Sequence, residues 1–235
     1  MGARSRRRPS ERRYRSRCTF DGAEESIQAF GLGAALDSGT LVVSCWFQIA
    51  DAQDGLLGWG DPLDGGDIAL RTTGAGKLYV AVRNDADTTD TEQIGGITAV
   101  TDSAWHHVWI VWEQTQVSWW LDGVQNNASQ PAVDALIKTS TTVDEFILGA
   151  RHRGASPYLV NLNGTLANVV FWTSDPGAAV RNRILAQGRY ADPRWADPQH
   201  WFPFGAGDAH PTVTDVVGSV AGTMVNMAQG NLVAP

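Results

Sequence analysis

A chain of 235 residues that is 43% hydrophobic and 18% charged can bury one large core and is too apolar for a disordered polymer. No apolar run approaches the roughly 20 residues that cross a bilayer, and the charged N-terminus lacks the apolar stretch of a secretory signal, so neither a membrane partner nor secretion is expected. The 25 Gly and 10 Pro favour many short strands joined by turns.

Net charge is −7, but it is unevenly distributed. Residues 1–17 hold eight Arg (Arg4, Arg6, Arg7, Arg8, Arg12, Arg13, Arg15 and Arg17) against one acid, Glu11. This basic arm has no hydrophobic periodicity, and it precedes an acidic body. Arg suits bidentate contacts with carboxylate or phosphate. An acidic body repels nucleic acid, so nucleic acid is not the expected partner. The arm is expected to anchor the protein to an acidic protein surface.

Structure is expected from Cys18 onward, as one domain over 18–235. Leu41–Ile49 is a strong strand, and Gly55–Trp59 a short one that runs into the acidic loop Asp61–Asp67. Ile68–Arg71 and Lys77–Arg83 flank a Gly-containing turn and predict a hairpin. Asn84–Glu92 reads as polar loop and Ile94–Val100 as an edge strand. The strongest signal is 105–123, which carries five of the ten Trp. There His107, Trp109 and Val111 alternate with His106, Val108, Ile110 and Trp112. Past a short turn, Val117, Trp119 and Leu121 alternate with Ser118 and Trp120. A period of two in β-branched and aromatic residues predicts two strands, and Asp122-Gly123 a tight turn into a third.

Val124–Asn126, Phe146–Gly149 and Leu166–Trp172 predict further strands. Asp175 and Pro176 predict the N-cap and first position of a short helix ending at Gly188, with Val180, Ile184 and Leu185 as its apolar stripe. Residues 188–235 form a Trp- and Pro-rich extension expected to pack on the domain, irregular over 189–211 and closing with a strand over 222–227. Cys18 and Cys45 are too few for a disulfide framework and read as free thiols, with a single bridge between them as the alternative. The fold expected is all-β: a two-sheet antiparallel sandwich with one short helix.

Several segments resemble, in order, the laminin-G-like or pentraxin-like jelly roll of the concanavalin A-like lectin/glucanase superfamily. They are Thr19–Gly22, Val43–Phe47, Trp105–Val108, Trp120–Gly123, Phe146–Gly149 and Asn163–Leu166 leading into Val169–Phe171. Most specific is the pair Trp-His-His-Val and Trp-Leu-Asp-Gly. The ending, His200–Asp208 followed by Gly218–Met227, is similar to that of jelly-roll proteins in tailed-phage structural modules. The resemblance implies a virion surface protein, structural or decorating, displayed on the particle as a homo-oligomer. Its partners would be capsid or other virion proteins.

Candidate sites follow from this. The glucanase branch of the superfamily sets its acids on alternate positions of one strand, and this sequence has no such ladder, so no glycosidase pair and no enzyme is expected. His106 and His107 are neighbours on a strand and face opposite ways, so they cannot chelate one ion together and read as structural. Asn127-Ala-Ser129 and Asn163-Gly-Thr165 match glycosylation acceptors but read as turns. Trp59, Tyr158, Trp195 and Trp201 fall in loops or irregular chain and are the candidate glycan contacts, with plugs on the sandwich or contacts to a neighbour as the other reading of loop Trp. Calcium is the single cofactor considered, at Asp61, Asp64 and Asp67 or at Asp85, Asp87 and Asp90 with Glu92. The alternatives to a virion role are a carbohydrate-binding lectin module that attaches to host glycans and a calcium-dependent adhesion domain.

Overall fold

A computed structural model describes residues 16–30, 40–52, 55–60, 67–83, 90–113, 116–126, 130–131, 145–151, 161–205 and 208–233. In chain order the strands begin with β1 (Arg17–Asp21), β2 (Ser26–Phe30), β3 (Thr40–Ile49), β4 (Gly55–Gly60) and β5 (Asp67–Thr72). There follow β6 (Lys77–Arg83), β7 (Asp90–Ala99), β8 (His106–Glu113), β9 (Gln116–Leu121), β10 (Val124–Gln125) and β11 (Gln130–Pro131). After β12 (Glu145–Leu148) and β13 (Asn163–Trp172) comes the helix α1 (Ala178–Gln187). A 3-10 turn at Pro193–Ala196 then leads to β14 (His200–Phe202), β15 (Thr212–Thr214), β16 (Ala221–Val225) and β17 (Leu232–Val233).

All pairings between these strands are antiparallel. One sheet, here the first, runs β10-β9-β8-β3-β13-β1-β17, with β11 added to β9 and β14 to β13. The second runs β15-β16-β2-β12-β4-β5-β6-β7. The hairpin pairs Val108 with Leu121 and Trp112 with Val117, and β3 lies on the other side of β8, with Phe47 opposite His106. The expected all-β sandwich with one helix is the fold observed.

Alternation decides what each residue faces. Along β3, Leu41, Val43, Cys45, Phe47 and Ile49 point into the space between the sheets. On β8 and β9, Val108, Ile110, Trp112, Val117, Trp119 and Leu121 do the same. From the second sheet come Ile27, Leu57, Trp59, Leu70, Val80 and Phe146. Trp59 meets Trp112 edge-on at 5.7 Å and stacks on Phe146 at 5.9 Å, spacings at which aromatic pairs attract beyond simple burial.

The outer face of the first sheet is covered as well. Val42, Trp109, Val111, Val170 and Trp172 form a second cluster with Ile184 of α1, Ala191 and Trp201. Every residue of β8 from His106 to Trp112 is therefore buried, on both faces of the strand.

The structure corrects several expectations. Arg17 belongs to β1, where it pairs with Val233 of β17. Strand β7 begins at Asp90, inside the stretch read as loop. Helix α1 starts at Ala178, with Gly177 in the cap position at φ 88°. The Asp175 side chain accepts from the Gly177 N–H and so turns the chain before the helix instead of capping it. The C-terminal extension packs on the domain and also enters its sheets: β14 and β17 join the first, and β15 and β16 join the second. Cys18 and Cys45 are free and buried, and burial raises both thiols far above their ordinary range, which keeps them protonated.

Candidate functional site

The Trp-His-His-Val and Trp-Leu-Asp-Gly segments meet at one carboxylate. The Asp122-Gly123 turn has φ 50° and 82°, the paired positive values of a type I′ turn. It brings the Asp122 side chain back onto β8. Asp122 Oδ1 accepts from the His107 backbone N–H at 2.8 Å, and Oδ2 meets His106 Nδ1 at 2.7 Å. Asp102 Oδ1 takes the other imidazole nitrogen of His106 at 3.0 Å. The hydrogen bond to Asp122 raises the His106 pKa, with Asp102 adding to it, against the opposing effect of burial. Burial also works against ionised Asp122, but the bonds from His106 and the His107 N–H outweigh it and hold the carboxyl low. An imidazole between two carboxylates makes a charged clasp at the sheet rim, with no free nitrogen left for a metal or a reacting group.

His107 is on the opposite face, fully buried, with Nε2 2.9 Å from Ser44 Oγ and its ring 5.0 Å from that of Trp46. Burial lowers its pKa to about 4, assisted by the positive charge of Arg181 and opposed by Asp122. The two histidines thus have opposite electrostatic surroundings and a common structural role.

Residues that the sequence did not single out hold the C-terminal extension in place. Asn168 sits at an irregularity of β13 with φ 53°. Its side chain donates to the Ala191 carbonyl and accepts from Trp201 Nε1 at 2.6 Å. Asp215, its side chain wholly enclosed, meets His200 Nδ1 at 2.7 Å and accepts from the N–H groups of Trp201, Val217 and Gly218. Burial alone would raise its pKa; those bonds reverse the effect and lower it.

Along α1 and just past its end, arginines lie over aromatic rings. Arg181 sits 3.9 Å from the Trp120 centroid and Arg183 3.8 Å from that of Trp195. Arg189 stands 4.9 Å from Trp105 and 4.8 Å from Tyr190. Burial lowers the Arg181 pKa, with Asp175 opposing. This face gathers half-exposed aromatics and arginines that have no ion pair among the described residues.

The sites expected from sequence fare differently. Trp59 points into the core of the sandwich and Trp201 is enclosed in the second cluster, 1% exposed each, so neither is open to a sugar ring. Trp195 is 38% exposed and already carries Arg183 against its ring. Tyr158, Asp61, Asp64, Asp85 and Asp87 lie outside the described residues, as do Arg4 to Arg15 of the arm. Asp67 and Asp90 are placed as terminal residues of β5 and β7. Among the described residues no group of three or more His, Cys, Asp or Glu is arranged to hold a metal.

Known structures share this architecture at low identity. A module of a Ruminococcus gnavus sialidase, CBM40, solved with α2,3-sialyllactose, aligns with TM-score 0.54 and 16% identity over 73% of this chain and 97% of the module. A Bacteroides ovatus protein proposed to bind carbohydrate aligns with TM-score 0.58 and 13% identity over 94% of this chain and 62% of its own. The heptameric SAP-like pentraxin of Limulus polyphemus aligns with TM-score 0.52 and 11% identity over 68% of this chain and 77% of the pentraxin. No curated protein sequence matches. Residues 21–178 match a family description that covers β2 to β13 and the start of α1, and the chain belongs to that family, Laminin_G_3 of the Concanavalin A-like lectin/glucanases superfamily.

Proposed function

We propose that this chain is a non-catalytic carbohydrate-recognition domain. The observation that carries the reading is the commitment of its best acid–base candidates to structure. His106, Asp102 and Asp122 close one clasp, His200 and Asp215 another, and His107 is buried against Ser44 and Trp46. Among the described residues this leaves surface for function, which suits recognition better than chemistry. The likeness to CBM40, which was solved with a sialylated sugar, supports the choice of glycan. A glycan array tests it: saturable binding to a defined set of sugars is expected, and a blank array at high protein concentration overturns the proposal.

A second reading is favoured by the position of Arg17. It opens β1, beside β17 at the rim of the first sheet, so the seven arginines of residues 1–15 are attached at one edge of the sandwich. On this reading the domain is a virion surface component, oligomeric and anchored to shell proteins by that arm through charge pairing. Removing residues 1–15 is then expected to abolish incorporation into particles while the circular dichroism of the domain is retained. Full incorporation of the truncated chain rules the anchor out.

A further inference from the structure

Where α1 and the residues just after it lie over the hairpin, two arginines stand in similar settings. Arg181 stacks on Trp120, which points outward from β9 opposite Trp109. Arg189 lies beside Trp105, just before β8, and Tyr190. Arg181 lies in α1 and Arg189 just past its end, after the Gly188 cap; the rings they cover share the outer face of the first sheet roughly 13 Å apart, because Trp120 pairs with Trp109, four residues on from Trp105. Between them Leu185 rests on the Asp122-Gly123 turn, where a Cβ on Gly123 would meet its Cδ2 at 2.6 Å. The strip is therefore continuous: a cation on a ring, an apolar contact over a turn, then a second cation between two rings.

Among the described residues neither guanidinium has a carboxylate within ion-pair distance, and Asp175 acts on Arg181 only from further away. The ion pairs of the described residues on this side join Arg194 to Asp192 and His106 to Asp102 and Asp122, and the Nε atoms of Arg181 and Arg189 are enclosed without a partner. Two half-buried cations, each stacked on an aromatic ring and without an ion pair among the described residues, leave guanidinium donors that an anion can meet. The rings also restrain both side chains, which reduces the ordering lost when an anion binds.

The structure assigns this strip, Arg181–Trp120 to Arg189–Trp105–Tyr190, as a binding surface for an anionic glycan, with carboxylates on the guanidiniums and sugar C–H faces against the half-buried rings. The inference rests on the carbohydrate-recognition reading above. The spacing favours a sparsely charged polymer over nucleic acid, whose strand presents a phosphate about every 3.4 Å and would meet repulsion from the acidic body. Each arginine offers a planar fork that matches a carboxylate, which lysine does not.

The test uses the full chain and titration calorimetry with chondroitin oligosaccharides, their carboxyl-reduced counterparts, polyaspartate and duplex DNA. Chondroitin binding at least tenfold tighter than its reduced form is expected, weakening as salt is raised. It should fall tenfold or more in R181Q/R189Q and in R181K/R189K, with Lys77→Gln on the second sheet unchanged and the melting temperature of every variant recorded. Equal binding of charged and reduced sugars, or wild-type binding by R181Q/R189Q, overturns this assignment and leaves the recognition reading standing. Binding of polyaspartate or DNA alone, or of none of the probes, overturns the assignment too; a blank array beside that result removes the recognition reading with it.

Discussion

His106 and His107 are adjacent in sequence and opposite in electrostatics, and this sets the acid response of the fold. In the folded chain His107 takes a proton only near pH 4, while in the unfolded chain it does so near the ordinary value of about 6.5. As the pH falls through that window the unfolded state binds the proton first, and stability drops by an amount on the order of 3 kcal/mol for a fully buried ring. His106 has the opposite sign. Its raised value gives a contribution fully present below the unfolded pKa and lost as the pH rises through the folded one. Asp102 and Asp122, both lowered, contribute above the ordinary carboxylate range and lose that contribution as the pH falls through their folded values. The clasp is partly exposed, so water screens it to about 1 kcal/mol. His107 therefore dominates between pH 4 and 6.5. A His107→Gln chain, which can still reach Ser44, is expected to start about 1–3 kcal/mol less stable at neutral pH and to show a flatter decline from pH 7 to 5. Urea melts at the two pH values measure this; a decline as steep as that of the parent chain would show that another group causes it.

At the scale of elements, the turn between β9 and β10 ties the central hairpin to the helix. Gly123 combines φ 82° with a Cβ position 2.6 Å from Leu185 Cδ2, so Gly123→Ala meets both backbone strain and a clash. A loss of about 2–3 kcal/mol is expected, of which about 1–2 is the left-handed backbone itself. Leu185→Ala in the same chain removes the clash and not the strain, so the double variant should lose less than the two single losses combined, as thermal melts of the four chains would reveal. Strict additivity would mean that turn and helix are not in contact.

The sequence made the turn and the hairpin visible because alternation fixes parity: the inward set of β8 and β9 is the one read from period two. It could not show that the outward set is buried as well, since Trp109 and Trp172 gain their cover from Ile184 and Trp201, far along the chain. For the same reason the sequence leaves Trp201, in a strand of only three residues beside Pro203, in irregular chain, open to both a glycan contact and a plug on the sandwich, and the structure shows the plug. Such a strand is too short for its own periodicity, and its pairing with Val170 on β13 is a long-range fact. Asn168 and Asp215 were silent too, because single polar residues carry no pattern until the bulge and the turn they satisfy exist. The Arg–aromatic strip arises from three separate segments, and no one of them announces it.

For the whole molecule, the interleaving of the last strands decides what counts as the domain. The family match ends at residue 178, yet β16 pairs with β2 in the second sheet and β14 with β13 in the first. Cutting the chain after Gln187 would strip Ala191 and Trp201 from the second cluster and Val213, Met224, Phe202 and Phe204 from the main core. It would also leave β1 and β2 without their C-terminal neighbours. Full burial of one large apolar side chain is worth about 1.5–3 kcal/mol, and a domain is stable by only about 5–15 kcal/mol. Loss of several such side chains together exceeds that margin. A chain ending at Gln187 is therefore expected to be unfolded or aggregated on expression, with no cooperative melt and with the bare edge of β2 open to mispairing. A soluble, monomeric and cooperatively melting 1–187 chain would show instead that the extension is dispensable, and that the match to residues 21–178 marks a self-sufficient fold.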